Sequence, residues 1–143
     1  MITDWILRCG DGKNLKNSSK YKIWGISSKN TLGVNFINHV KEGDRLWFVT
    51  KDSNGKLVAV ATYCSHNCPI SYTNEELGWT GSGRDWNADT EIHYKDIYWL
   101  NNCEILTHIS GPAPIRRYNE KCKVNLADEY NYIIKYSKVK FEL

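Results

Sequence analysis

Three tryptophans, Trp24, Trp79 and Trp86, and four cations, Lys20, Arg84, Arg116 and Arg117, are the residues best suited to chemistry of recognition. Flat rings at the mouth of a hollow can sandwich an unstacked nucleobase, each stacking contact being worth about 1–3 kcal/mol, while lysine and arginine meet phosphate. Two or three aromatic walls also favour a methylated group over a hydrated one. Trp24 is followed by Gly25, and a residue without a side chain is expected to leave one face of the indole uncrowded. The opposing reading is structural: Trp24 plugs a core, and the other two tryptophans pin down their loop. From the residues alone the two readings stand level.

A second cluster is Cys64-Ser65-His66-Asn67-Cys68-Pro69. Its C-x-H-x-C spacing is awkward for one tetrahedral zinc, whose paired ligands are separated by two or more residues. The run resembles half of a Rieske iron–sulfur motif, but that centre needs a second Cys-x-x-His, which this sequence lacks. A loop carrying thiols is the expectation here, with no metal and no cofactor. Cysteines at 9, 64, 68, 103 and 122 and histidines at 39, 66, 93 and 108 permit a Cys–His pair in space, yet no nucleophile signature surrounds any of them. Glu75-Glu76 and Asp128-Glu129 sit in polar context and read as solvated faces. Gly81-Ser82-Gly83 lacks the lysine and the helix of a phosphate-binding loop. No catalytic residue is therefore assigned.

The elements that must position these residues alternate between strand and short helix. Asp4 to Cys9 reads as a first strand, ended by Gly10-Asp11-Gly12. Asn14 to Tyr21 is a helical turn or a loop, too polar to decide. Thr31 to Lys41 spaces Val34, Ile37 and Val40 for one helix face, with Gly43 as a stop. Arg45–Thr50 and Lys56–Tyr63 are β-rich runs joined through Asp52-Ser53-Asn54-Gly55, a strong hairpin signal. Both runs are apolar on both faces and are expected to be central strands. Gly78 to Trp86 forms a long loop rich in glycine and tryptophan. Ile92 to Leu100 returns to strand, with Ile92, Tyr94, Asp96 and Tyr98 on one face and His93, Lys95, Ile97 and Trp99 on the other. After Pro112 and Pro114 comes Ile115-Arg116-Arg117-Tyr118, and Asn125 can cap a helix bearing Leu126, Tyr130, Ile133 and Ile134, with strand the competing reading over Tyr132 to Tyr136.

Composition bounds the reading. The 143 residues suit one domain with one core, and 41% hydrophobic against 24% charged content is that of a folded chain rather than a disordered one. A net charge of +3 is too mild for non-specific grip on a polyanion, so any nucleic-acid site must be a local patch. Six Trp and nine Tyr exceed what one small core needs, which leaves rings for a surface or pocket. No apolar run is long enough to span a membrane. Met1 to Leu7 is too short and too acidic for a secretory signal, so the odd set of cysteines is expected to be reduced, in an intracellular protein, cytoplasmic or nuclear.

Taken in order, the motifs resemble the EVE and YTH branch of PUA-like domains. Asn14-Leu15-Lys16-Asn17-Ser18-Ser19-Lys20-Tyr21-Lys22-Ile23-Trp24 is similar to the YTH pattern of Asn, a small polar stretch, Lys-Tyr and a cage tryptophan. Lys41-Glu42-Gly43-Asp44-Arg45-Leu46-Trp47-Phe48 resembles the EVE Gly-Asp lead into the hairpin, Val58-Ala59-Val60-Ala61 its glycine-valine-alanine run, and Asp89 to Ile97 the strand that follows. The resemblance spans residues 1–143 as a single domain and implies an α+β fold, a small mixed β-barrel with flanking short helices. It also implies a non-enzymatic reader of a modified base, methylated or hydroxymethylated, in RNA or DNA. Carried over, Trp24, Trp79 and Trp86 are the cage, Asn14 contacts the base edge and Gly25 offers backbone groups. Lys20, Arg84, Arg116 and Arg117 then contact phosphate. Gly25-Ile26-Ser27 delays the serine that YTH domains place sooner, and Cys64 to Pro69 has no counterpart in the family. The rival readings are a PUA- or ASCH-like enzyme acting on a modified nucleoside, and a metal- or protein-binding module using the Cys64–Cys68 loop.

Overall fold

The computed structural model describes residues 2–10, 12–29, 31–49, 57–80, 88–99, 115–117, 126–128 and 130–131. In chain order the elements are β1 (Asp4–Arg8), α1 (Lys13–Ser18) running into a 3-10 turn (Ser19–Tyr21), β2 (Ile23–Ile26) and α2 (Thr31–His39). They continue as β3 (Arg45–Val49), β4 (Leu57–Asn67), α3 (Asn74–Leu77), β5 (Thr90–Trp99) and β6 (Ile115–Arg117). Residues 126–128 and 130–131 are helical. The Asp52–Gly55 turn, residues 81–87, Pro112, Pro114, Ile133 and Ile134 lie outside the described residues.

The strands form one mixed sheet in the order β2-β5-β4-β3-β1-β6. β3 and β4 pair antiparallel, as the two apolar runs predict, and they occupy the middle of the sheet. Every residue of β3 is buried, which is what a strand covered on both faces requires. β1 runs parallel to β3, and β6 returns antiparallel along β1. The expected barrel is corrected to a half-barrel: among the described residues, β2 and β6 stand at the two edges.

A buried polar knot fastens β1 to β3, and it gives the Gly43-Asp44 motif a structural meaning. Asp44 accepts hydrogen bonds from the Thr3 amide (2.9 Å), the Trp5 indole (3.1 Å) and the Lys41 amide (2.9 Å). One strand further, Asp4 accepts from Arg45 Nε (2.6 Å) and Nη2 (3.1 Å) and from the Trp47 indole (2.8 Å). Gly43 allows the tight approach because its φ of +94° is a left-handed value that only glycine adopts freely.

Two sequence expectations are changed by packing. On α2, Val34 is exposed, whereas Gly33 and Phe36 are buried and Ile37 and Val40 are half-buried. Phe36 has the larger apolar area to remove from water, and it lies edge-on to Trp5 at 5.0 Å, so the helix turns that face inward. On β5, strict alternation fails. Thr62 pairs with Lys95 but Val60 with Tyr98, so β5 carries an extra residue, and Asp96 sits there at φ +52°. This bulge brings Ile97 into the same core as Ile92 and Tyr94. A second shift, between Tyr63 and Ser65, lies in β4 beside Cys64.

Candidate functional site

Trp24, Gly25, Trp79 and Asn14 come together at the β2 edge. β2 lies antiparallel to β5, with Trp24 opposite Ile92 and Gly25 opposite Glu91. Trp79 follows α3, a short helix closed by a capping box in which Thr73 Oγ1 accepts from the Glu76 amide and Glu76 accepts from the Thr73 amide. Gly78, at φ +70°, ends the helix and turns the chain so that Trp79 faces β2. The two indoles meet edge to face, centroids 5.9 Å apart and planes at 74°.

This arrangement corrects the expectation that Gly25 frees a face of Trp24. The space a side chain would fill at Gly25 is occupied by Trp79: a Cβ there would lie 2.7 Å from its ring and 3.0 Å from the Ala88 Cβ. Trp24 and Trp79 are 2% and 5% exposed, so the corner is closed on itself. The Asn14 amide, though half-buried at the surface, is already engaged. Its Nδ2 donates to the Thr80 carbonyl (3.2 Å) and its Oδ1 accepts from the Thr80 amide (3.0 Å). Asn17, which sequence reasoning missed, adds Nδ2 to the Gly78 carbonyl at 2.7 Å. Two asparagines on one side of α1 thus clasp the segment that carries Trp79. Their spacing of three is a helix-face signal that the polar composition of the stretch concealed.

The remaining predicted residues divide. Lys20 is exposed on the 3-10 turn just before β2, so it shares the corner's edge of the sheet. Arg116 and Arg117 are in β6, opposite Ile6 and Trp5, at the far edge. The structure therefore does not bring them together with the tryptophan corner, because β6 pairs with β1 and the whole sheet intervenes. Arg84 and Trp86 lie outside the described residues. The segment that carries them leaves from Thr80 and returns at Ala88, and both of those residues are at the corner.

Next to Gly25 stands Glu91, a fully buried carboxylate that the sequence did not flag. Its Oε1 accepts from Asn67 Nδ2 (2.7 Å), the Ser71 amide (3.0 Å) and the Ser71 hydroxyl. Oε2 lies 3.7 Å from His93 Nε2, which is itself 2.6 Å from Asn67 Oδ1. Burial pushes the Glu91 carboxyl up, but the hydrogen bonds from Ser71 and Asn67 and the nearby His93 outweigh it, and the net shift is downward. The hydrogen bonds tie the 67–71 turn to β5.

Cys64 is half-buried in β4, His66 is hydrogen-bonded through Nδ1 to the Tyr63 hydroxyl, and Cys68 is exposed. Among the described residues no group of three or more His, Cys, Asp or Glu side chains is placed to hold a metal ion.

The architecture matches solved structures. A crystal structure of the Mmi1 YTH domain in complex with RNA superposes with a TM-score of 0.58 at 16% identity, covering 93% of this chain and 80% of that one. The ASCH protein from Zymomonas mobilis gives 0.54 at 11% identity, over 88% of this chain and 94% of that one. A hypothetical protein from Leishmania major gives 0.52 at 12%, over 96% of both. The fold is the one seen in these YTH and ASCH structures. No family model matches the sequence, and comparison with curated proteins finds no match.

Proposed function

We propose that this chain is a nucleic-acid-binding domain of the EVE/YTH kind that takes up one modified base, methylated or hydroxymethylated, of RNA or DNA, without turning it over. The observation that carries this reading is the corner itself. Two indoles stand at 74° about a residue without a side chain, and Thr80 and Ala88, both described, lie beside it. Its likeness in fold to an RNA-bound YTH domain supports the same direction. Since Trp79 occupies the space over Gly25, a base enters only when Trp79 moves aside. Stacking and edge hydrogen bonds then offset the cost of unstacking the base and of releasing the clasp.

Thermal shift over a panel of modified and unmodified oligonucleotides tests the proposal, because a ligand bound to the folded state raises its melting temperature. A shift confined to oligonucleotides bearing one kind of modification supports it. The absence of any shift across the panel counts against it. The ASCH likeness supports the enzymatic alternative, so nucleosides recovered after incubation should be unchanged; a converted nucleoside would replace the binding reading with that one.

A further inference from the structure

We propose a second nucleic-acid contact on the same edge of the sheet: a stacking platform for a single strand, built by Tyr21 and Tyr72. It rests on the nucleic-acid reading above and adds to it the form of the partner, an unpaired strand tracking over the 3-10 turn. The rings come from distant parts of the chain, one from the turn before β2 and the other from the turn before α3. They stack with centroids 4.8 Å apart and planes at 29°. The stacked pair stays open to water, the two residues being 37% and 36% exposed, so outer ring surface remains for a further partner. Lys20 Nζ lies 5.1 Å from the Tyr21 ring centroid, which adds a fixed cation to the exposed aromatic surface.

The surroundings decide the partner. From Gly12 to Lys29 the sequence contains Lys13, Lys16, Lys20, Lys22 and Lys29 and no acidic residue. Lys16, Lys20 and Lys22 are exposed, so the overall charge of +3 conceals a local excess of positive charge along this stretch of chain. The nearest acids in sequence to Tyr72, Glu75 and Glu76, belong to the first turn of α3, and Glu76 is engaged by the Thr73 amide. Tyr72 is held by its neighbour, since both the Ser71 amide and hydroxyl bond the buried Glu91. A flat exposed surface with Lys20 against it, in a stretch rich in exposed lysine, complements a polyanion with free base faces. Single-stranded nucleic acid has that chemistry, whereas a duplex keeps its base faces stacked inside.

The test is fluorescence anisotropy with a labelled single-stranded RNA of about ten nucleotides, within the usual site size, alongside its duplex and the DNA equivalent. The parent protein should prefer the single strand. Tyr21→Ala and Tyr72→Ala should each weaken it about tenfold, for modified and unmodified strands alike, while Tyr21→Phe and Tyr72→Phe retain affinity. Lys20→Ala should lower the slope of log affinity against log salt by about 0.7. Parent-like binding by both alanine variants would overturn the platform and leave the tyrosines to some other partner, such as a protein, without touching the Trp24 corner. Equal affinity for the duplex would also overturn it. Failure of the parent protein to bind any of these strands would overturn the platform, whereas the functional reading falls only if the modified oligonucleotides of the thermal-shift panel also leave the melting temperature unchanged.

Discussion

Two pairs of tryptophans in this molecule are held in opposite ways. Trp5 and Trp47, on adjacent strands, are fully buried, and each indole N–H is accepted by a carboxylate, Asp44 and Asp4 respectively. Trp24 and Trp79, at the β2 edge, meet each other edge-on, and the segment bearing Trp79 is fastened by the amides of Asn14 and Asn17 at exposed positions. A bond accepted by a carboxylate away from bulk water is stronger than one between neutral groups open to water. The first pair is tied by carboxylates, whereas the second, also buried in the core with Trp24 packed on Phe48, has in addition a surface clasp that water or a ligand can compete for. The same residue type is tied to carboxylates in one place and closed in by a surface clasp in the other.

The largest effect should come from breaking the carboxylate-tied pair. Asp44→Ala removes the acceptor of three donors and should cost about 3–4 kcal/mol, read from urea denaturation. The folded fraction should bind nucleic acid as the parent does, because Asp44 is remote from the β2 edge. Gly25→Ala acts on the other pair. Its Cβ meets the Trp79 ring, and the overpacking should cost about 1–3 kcal/mol. Nucleic-acid affinity should fall as well, by about tenfold, since the new methyl occupies the space a base needs. An unchanged affinity would remove Gly25 from the site.

Asn17→Ala should be milder and of opposite sign for binding. Losing its bond to the Gly78 carbonyl should lower stability by about 1 kcal/mol. If the corner must open to bind, the same loss raises the population of the open form, and affinity should improve about fivefold. Weaker binding by this variant would contradict the opening step.

How much of this was legible in the sequence differs between the two regions. The middle of the sheet was readable because β3 and β4 are apolar on both faces and joined through Asn54-Gly55, so pattern and turn chemistry agree. The bulge at Asp96 was not, since alternation in Ile92 to Trp99 looks intact until the strand is paired with β4. For the site, the grouping of Trp24 with Trp79 and Asn14 was legible, but its closed state was not. Nothing in the pair Trp24-Gly25 announces that a ring from beyond α3 fills the glycine's space. Arg116 and Arg117 failed as neighbours for a similar reason: local charge does not reveal that their strand pairs with β1 at the other edge.

A pH experiment gives the smallest effect and concerns the turn beside the corner. The Glu91 carboxyl is lowered in the folded protein relative to the unfolded chain. The unfolded state therefore binds more protons between the two values. The stabilisation is fully present above the ordinary glutamate value and is lost as pH falls through the folded one. Stability of the parent should drop more steeply than that of Glu91→Gln on acidification from about pH 6 to about pH 3. Parallel curves for the two proteins would show that the Ser71 and Asn67 bonds do not hold the charged form.

On the proposed function, the Trp24–Trp79 corner receives a base. The most direct test of this is the affinity of Trp24→Ala and the parent for one strand carrying the modification selected by the thermal-shift panel, with the unmodified strand as reference. Trp24→Ala should stay folded, lose the preference for the modified strand and bind both strands equally and more weakly. Retention of that preference in the folded variant would contradict base binding at the corner.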